Sequence, residues 1–279
     1  MKYLFVSGTL YDGAGLAMIQ GAMNGIKTLD DDAVFCSLHR KIHDKKVDGC
    51  DSFMEPNDNL KAFKWADGIL DVGGLCNCQK NKYEWLRLRK KFNKPYVWMS
   101  QSFKGVDRKL LDGTHIVARG KRSAKMITDL GLDAEIGGDL SFLIEPKKWN
   151  GRSYKRAFCT HGQKKNFSKM FDLCDAGDVQ VIWKPEGKKV FEAELPIEKF
   201  CGSVEENFGI IDSVDEVHTA RYHAGCACIL SGKIPIFYAT DDIIYNEKYL
   251  DLMDNCGLSK KQLRDYAMIS CRVACDVIT

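Results

Sequence analysis

The sequence predicts an α/β protein built as two Rossmann-like domains facing a central cleft. Three observations predict it. Short apolar runs alternate with amphipathic segments, as β-α units on a parallel sheet require. Glycines and polar residues follow the ends of those runs, where a parallel sheet places its ligand-binding loops. The rhythm breaks in a polar stretch near the middle and then restarts. With 279 residues the chain is long enough for two cores of ordinary size.

The elements follow in order. Tyr3 to Val6 reads as the first buried strand, and Leu16 to Gly25 as a helix, with Leu16, Ile19, Met23 and Ile26 at helical spacing. Ala33-Val34-Phe35-Cys36 is a second strand, and His39 to Asn59 is polar and unassigned. Gly68 to Val72 is a strand ending in Gly73-Gly74. A helix around Trp85, Leu86 and Leu88 follows, then the strand Tyr96-Val97-Trp98-Met99. His115 to Ala118 is another strand, Ser123 caps a helix through Leu130, and Gly131 ends it. The polar segment from Glu145 to Lys155 sets the boundary, giving an N-terminal Rossmann-like domain over 1–150 and a C-terminal one over 151–279. In the second domain, Arg156–Cys159, Val179–Trp183, Glu216–Thr219 and Ile234–Tyr238 read as strands. Phe167–Cys174, His223–Ser231 and Glu247–Asn255 read as helices, and Ser259 caps a final helix that can pack back on the first domain.

Composition narrows the function classes. Hydrophobic residues make up 45% and charged residues 28%, a globular mixture. The formal charge is only +3, with bases scattered among acids, so no nucleic-acid surface is expected. The apolar start stops at Ser7-Gly8, too soon for a signal peptide, and no run approaches the roughly 18 apolar residues of a membrane span. The expected location is therefore cytoplasmic, with peripheral membrane association left open. The oligomeric state is not legible. The 12 cysteines lie partly inside apolar runs, such as Cys226 and Cys228, and read as reduced, buried thiols. Their spacings do not form a structural zinc signature, so no metal site is expected.

Residues just past strand ends carry the candidate chemistry. In Thr219-Ala220-Arg221-Tyr222-His223-Ala224-Gly225 a strand closes and a small-residue helix opens. Arg221 can hold a carboxylate or phosphate, and His223 can move a proton near neutral pH. If the turn is extended, both face one side. The helix N-terminus adds backbone donors at Ala224. A structural ion pair for Arg221 and a helix cap for His223 are equally available readings. Arg119 follows a strand and precedes Gly120-Lys121-Arg122-Ser123, an anion cradle or else a surface basic loop. Gly73 and Gly74 allow close backbone approach. Ser100 and Ser102 offer hydroxyls after a strand, and His161 follows another. Asp139 sits at a third junction, where helix capping also explains it. The other histidines, His39, His43, His115 and His218, have no such context. The glycines near residue 8 match neither a dinucleotide fingerprint nor a P-loop, and no serine-hydrolase elbow surrounds Ser100 or Ser102.

Taken together, these segments resemble the polysaccharide pyruvyl transferase family. The resemblance rests on Ala66 to Gly74, Lys94 to Gly105, Val117-Ala118-Arg119 with Ser123, Leu130-Gly131-Leu132, Gly138-Asp139, and Val214-Asp215 through Arg221-Tyr222-His223 to Gly232-Lys233-Ile234-Pro235. It implies a GT-B-like fold, with phosphoenolpyruvate as donor substrate and no permanently bound cofactor. It implies that Arg119 and Arg221 grip the donor's phosphate and carboxylate, that His223 transfers the proton, and that a sugar or glycan accepts the pyruvyl group as a ketal. Three departures stand out. The amino-terminal asparagine-glycine-aspartate pattern is Tyr11-Asp12-Gly13 here, the usual arginine-aspartate pair is Arg119-Gly120, and the chain is short for the family. A sugar-nucleotide-dependent GT-B-type glycosyltransferase is therefore the alternative expectation. A catalytically silent carbohydrate-binding protein on the same fold is the third.

Overall fold

The computed structural model describes residues 1–6, 13–38, 52–54, 58–73, 75–76, 80–103, 105–160, 167–183, 195–238 and 243–279. The chain forms two compact units. Met1–Tyr11, Met18–Leu143 and Arg264–Thr279 make up the first, Asp12–Ala17 and Ile144–Leu263 the second.

The first unit contains strands β1 (Lys2–Val6), β2 (Val34–Leu38), β3 (Ser52–Met54), β4 (Gly68–Val72), β5 (Leu75–Cys76), β6 (Tyr96–Phe103), β7 (His115–Ala118) and β8 (Glu135–Ile136). They order as β3-β2-β1-β4-β6-β7-β8, with β5 paired to β6. Every pairing is parallel. The order reverses between β1 and β4, the switch point beside which doubly wound sheets hold ligands. Helices α1 (Gly13–Lys27), α2 (Asn59–Trp65), α3 (Lys80–Lys91), α4 (Arg108–Leu111) and α5 (Lys121–Asp129) connect the strands.

The second unit repeats the plan with β9 (Arg156–Cys159), β10 (Val179–Val181), β11 (Glu198–Phe200), β12 (Glu216–Thr219) and β13 (Ile236–Phe237), ordered β11-β10-β9-β12-β13. All of these pairings are parallel too. Its helices are α6 (Phe167–Phe171), α7 (Val204–Ser213), α8 (Tyr222–Leu230) and α9 (Ile243–Met253), and α10 (Lys260–Ile278) ends the chain.

Alternation along the strands sorts the core of the first unit. Leu4, Cys36, Ile69, Tyr96 and Trp98 enter one cluster with Phe63 of α2, Leu88 of α3 and Ile127 of α5. The opposite face packs on α1 and the last turns of α10. A Cβ on Gly68 would lie 2.3 Å from Ile278, and one on Gly73 would lie 2.7 Å from Met18. Gly21 of α1 rests on the turn Leu140–Leu143, where a Cβ would stand 1.9 Å from the Leu140 carbonyl oxygen. Backbone cannot yield as a side chain can. Gly21→Ala should lower stability by on the order of 3 kcal/mol, read as a drop in the urea midpoint at unchanged slope.

Several boundaries differ from those the sequence predicts. The strand expected over Tyr96–Met99 runs on to Phe103, although Ser100 adopts φ 51° and the pairing register shifts between Trp98 and Gln101. One left-handed residue works as a bulge and lets pairing resume. The helix expected at Ser123 starts at Lys121, with Gly120 as N-cap, so Ser123 lies in its first turn. The strand expected over Ile234–Tyr238 shrinks to Ile236–Phe237. Helix α7 occupies a stretch of weak periodicity, yet Ser203 and Glu206 close a reciprocal capping box at its start. No helix among the described residues is long and apolar enough to cross a membrane.

Candidate active-site residues

In the second unit, β12 ends at Thr219 and α8 begins at Tyr222, so Arg221 is the helix N-cap, with extended backbone at φ −104°, ψ 126°. The Thr219 hydroxyl accepts the Arg221 amide at 2.7 Å and donates to the Arg221 carbonyl at 2.9 Å, pinning this corner. The Arg221 guanidinium Nε donates to the Thr160 carbonyl, just past β9, at 2.8 Å. That bond aims the side chain along the carboxyl end of the sheet. The Tyr249 hydroxyl, from α9, donates to the Ala220 carbonyl at 2.5 Å and fixes the same corner from the other side.

His223 is buried, with its ring edge-on to Tyr222 at 5.2 Å. The first intrahelical bond runs from the Gly225 amide to the Arg221 carbonyl, so the amides of Tyr222, His223 and Ala224 precede the ladder. They supply the donor-rich, positive end of a helix. All nine residues of α8 are buried, and a Cβ at Gly225 would meet Phe237 at 2.5 Å. Small residues are thus required for α8 to reach the sheet. Cys226 and Cys228 pack here as apolar side chains. Burial also pushes the neighbouring Cys159 thiol up to about 12, keeping it neutral beside Arg221.

The expectation of an extended turn that aligns Arg221 with His223 needs correction. The chain is already helical at Tyr222, so alternation does not bring the two together. They share one helix N-terminus instead. Nor does His223 cap the helix, because Arg221 holds the N-cap position and makes no side-chain cap bond.

In the first unit, Arg119 follows β7 directly. It is not part of a surface loop, being only 2% exposed. Its amide donates to the Gln101 carbonyl at 3.0 Å and continues the β6–β7 ladder. Its Nε lies 3.0 Å from the Ser100 carbonyl and 3.2 Å from Asp139 Oδ2. Asp139 Oδ1 accepts the Ser141 amide at 2.9 Å and the Ser141 hydroxyl at 2.5 Å. Asp139 is therefore both the cap of the Leu140–Leu143 turn and a buried counter-ion. Sequence spacing did not show this partnership. The available signal was that each residue stands just past one of two adjacent strands, β7 and β8.

The remaining candidates divide. The Ser100 hydroxyl is committed to the structure, donating to the Gly138 carbonyl at 2.7 Å and meeting the Ser270 hydroxyl at 3.0 Å. Its place among ligand-binding residues is corrected accordingly. Gly73 has φ 63°, and its side-chain space is filled by Met18, so backbone geometry and helix packing explain it without a ligand. Ser102 is buried on β6. Gly74 and His161 lie outside the described residues. His218 does have a context. Its Nδ1 is 2.7 Å from the Tyr238 hydroxyl, its Nε2 meets Glu216, and its ring stacks on Phe158. Lys233 donates to the carbonyls of Ile211 and Asp212, tying the turn before β13 to the C-terminus of α7.

Among the described residues, no group of three His, Cys, Asp or Glu side chains is arranged to hold a metal. The sequence shows Asp71 only as part of its strand. It is buried at the centre of a polar network, accepting from the Tyr96 hydroxyl at 2.8 Å and from Gln101 Nε2 at 2.9 Å.

A model of the polysaccharide pyruvyl transferase family matches residues 26–242, a span that includes Arg119, Arg221 and His223. No curated protein matches the chain. Among solved structures, the UDP-GlcNAc 2-epimerase of Methanocaldococcus jannaschii is similar, with a TM-score of 0.58 at 8% identity, over 98% of this chain and 99% of that one. The UDP-N-acetylglucosamine 2-epimerase of Rickettsia bellii gives a TM-score of 0.58 at 10% identity, over 100% and 96%. A putative enzyme of the same description from Listeria monocytogenes gives 0.56 at 9%, over 96% and 90%. At such identities the likeness is one of fold, a GT-B-like pair of Rossmann-type units.

Proposed function

The chain belongs to the polysaccharide pyruvyl transferase family, and we propose that it moves the pyruvyl group of phosphoenolpyruvate onto two hydroxyls of a sugar acceptor. It is a carbohydrate-modifying transferase. The observation that carries the finer reading is the corner at α8, where a buried arginine and a buried histidine share one helix N-terminus. A guanidinium beside unladdered amides suits a compact anion.

In the scheme, Arg221 takes an anionic group of the donor, and the Ala224 amide adds a neutral donor bond. Protonated His223 gives its proton to the methylene carbon, leaving the adjacent carbon electrophilic. One sugar hydroxyl attacks that carbon and loses its proton. Phosphate departs with the C–O electron pair, and a second hydroxyl closes the ketal and releases its own proton. A fixed guanidinium stabilises the leaving dianion with little reorganisation. The chemistry uses protons and charge alone, with no metal and no permanently bound cofactor.

Differential melting tests the donor. At a concentration near 100 times its Kd, a donor that binds only the folded state stabilises it by about 2.7 kcal/mol. Phosphoenolpyruvate should raise the Tm by several degrees, and UDP-N-acetylglucosamine should leave it unchanged. A shift with the sugar nucleotide alone would reassign the donor to the glycosyltransferase reading.

A further inference from the structure

Helices α2 and α3 lie side by side over one face of the first unit's sheet. Phe63 of α2 and Trp85 and Leu88 of α3 enter the same core cluster, so the opposite sides of both helices face outward. The outer side of α3 presents Tyr83, Arg87, Lys90 and Lys91 at helical spacing, all exposed. That of α2 presents Leu60 and Lys64, one turn apart and exposed as well. A hydrogen bond of 3.4 Å from Asn59 Nδ2 to Glu84 Oε1 joins the residue before Leu60 to the residue after Tyr83. Leu60 and Tyr83 therefore emerge in one neighbourhood, with the basic side chains extending from it along both helices.

Two properties set this face apart. The first is unneutralised positive charge. On α4 and α5 exposed bases have acids one turn on, Arg108 with Asp112 at 3.5 Å and Lys125 with Asp129 at 2.8 Å. Among the described residues, no carboxylate stands within ion-pair distance of Lys64, Arg87, Lys90 or Lys91. The second is exposed apolar surface. Leu60 is 52% exposed and Tyr83 45%, and only Leu29 is comparably open among the large apolar side chains described in this unit. Solubility calls for charges of mixed sign and gains nothing from an exposed leucine. An anionic bilayer suits both properties. Its headgroups meet the bases, the long stems of lysine and arginine lie along its apolar boundary, and leucine and tyrosine enter that boundary. Nucleic acid would supply phosphates but no apolar medium for Leu60.

We propose that the outer face of α2 and α3 docks the protein reversibly on an anionic phospholipid surface. Lys64, Arg87, Lys90 and Lys91 meet the headgroups, and Leu60 and Tyr83 sit at the edge of the hydrocarbon. Docking of this kind is independent of the transferase reading, because vesicle binding and phosphoenolpyruvate binding can each fail alone.

Sedimentation with sucrose-loaded vesicles supplies the test. Wild-type protein should bind vesicles of phosphatidylcholine mixed with phosphatidylglycerol, ignore vesicles of phosphatidylcholine alone, and come off as salt rises. Lys90→Gln with Lys91→Gln should weaken binding about 25-fold, roughly fivefold for each charge lost. Lys90→Arg with Lys91→Arg should retain it. Lys148→Gln with Lys261→Gln removes the same charge from exposed sites of the second unit and should leave binding near that of wild type. Leu60→Ser with Tyr83→Ser should weaken binding on the order of tenfold, and Leu60→Trp should tighten it, a gain that misfolding cannot imitate. All these positions are exposed, so each variant should melt with the wild type. No binding of wild-type protein to the anionic vesicles would overturn the proposal. So would equal losses in the two glutamine pairs, which would mean that net charge alone acts, or unchanged binding by the Leu60 and Tyr83 serine pair. Loss of DNA-duplex binding with vesicle binding intact, in the Lys90 and Lys91 glutamine variant, would give the face to nucleic acid instead.

Discussion

Replacing His223 with alanine should lower kcat by about 10²- to 10⁴-fold, the range expected when a positioned acid is lost, while the protein stays folded. The imidazole sits at the start of a helix whose other residues already fill the core, and its packing partner is the edge of Tyr222. Alanine also keeps the start of the helix, because Arg221 and not His223 holds the N-cap position. The pH dependence separates a chemical role from a packing one. Activity that depends on the protonated ring falls as pH rises through the histidine pKa, and the variant should lose that limb of the profile. Phosphate release measured across pH, beside a thermal melt of each protein, gives both readings. A variant within a few-fold of wild type, with the same limb intact, removes His223 from the chemistry. No turnover in the wild type under any donor would leave the fold as a binding module.

Much of this is legible in the sequence. The strands at Gly68–Val72, His115–Ala118, Arg156–Cys159 and Glu216–Thr219 stand where apolar runs placed them. A buried parallel strand must be nearly all apolar, and few other structures write that pattern. Legibility failed where one residue's conformation or one distant partner decides the outcome. Ser100 takes a left-handed conformation that no serine advertises, and so a strand that seems to stop at Met99 continues for four residues. The Ser100 hydroxyl then points to Gly138 and Ser270, far along the chain, and not to a ligand. His218 failed for the same reason. Its partners are set by pairing β13 beside β12, which spacing alone cannot show. By contrast, the Ser203–Glu206 capping box is written in the sequence, but the weak periodicity that flanks it gives no helix for it to mark.

The ion pair between Arg119 and Asp139 leads to a second large effect, this time on stability. Both side chains are about 1% exposed, and the pair is 3.2 Å apart. Removing the arginine takes the facing guanidinium away from a carboxylate buried deep in the unit. Arg119→Ala should therefore destabilise the fold by about 3–5 kcal/mol, and Asp139→Ala by a similar amount, since each strands the other's charge. The double replacement Arg119→Met with Asp139→Leu should recover most of that loss, because neither desolvated charge remains. Urea unfolding of wild type, Arg119→Met, Asp139→Leu and the double variant forms the cycle, and strictly additive single effects would show that the pair is not coupled. The same set separates scaffold from chemistry. If Arg119 only balances Asp139, the double variant should regain activity along with its stability. If its guanidinium also holds the donor, the double variant should fold well, bind phosphoenolpyruvate weakly and turn over slowly. Arg119→Ala alone cannot make that distinction, since misfolding and lost donor binding would both abolish its rate.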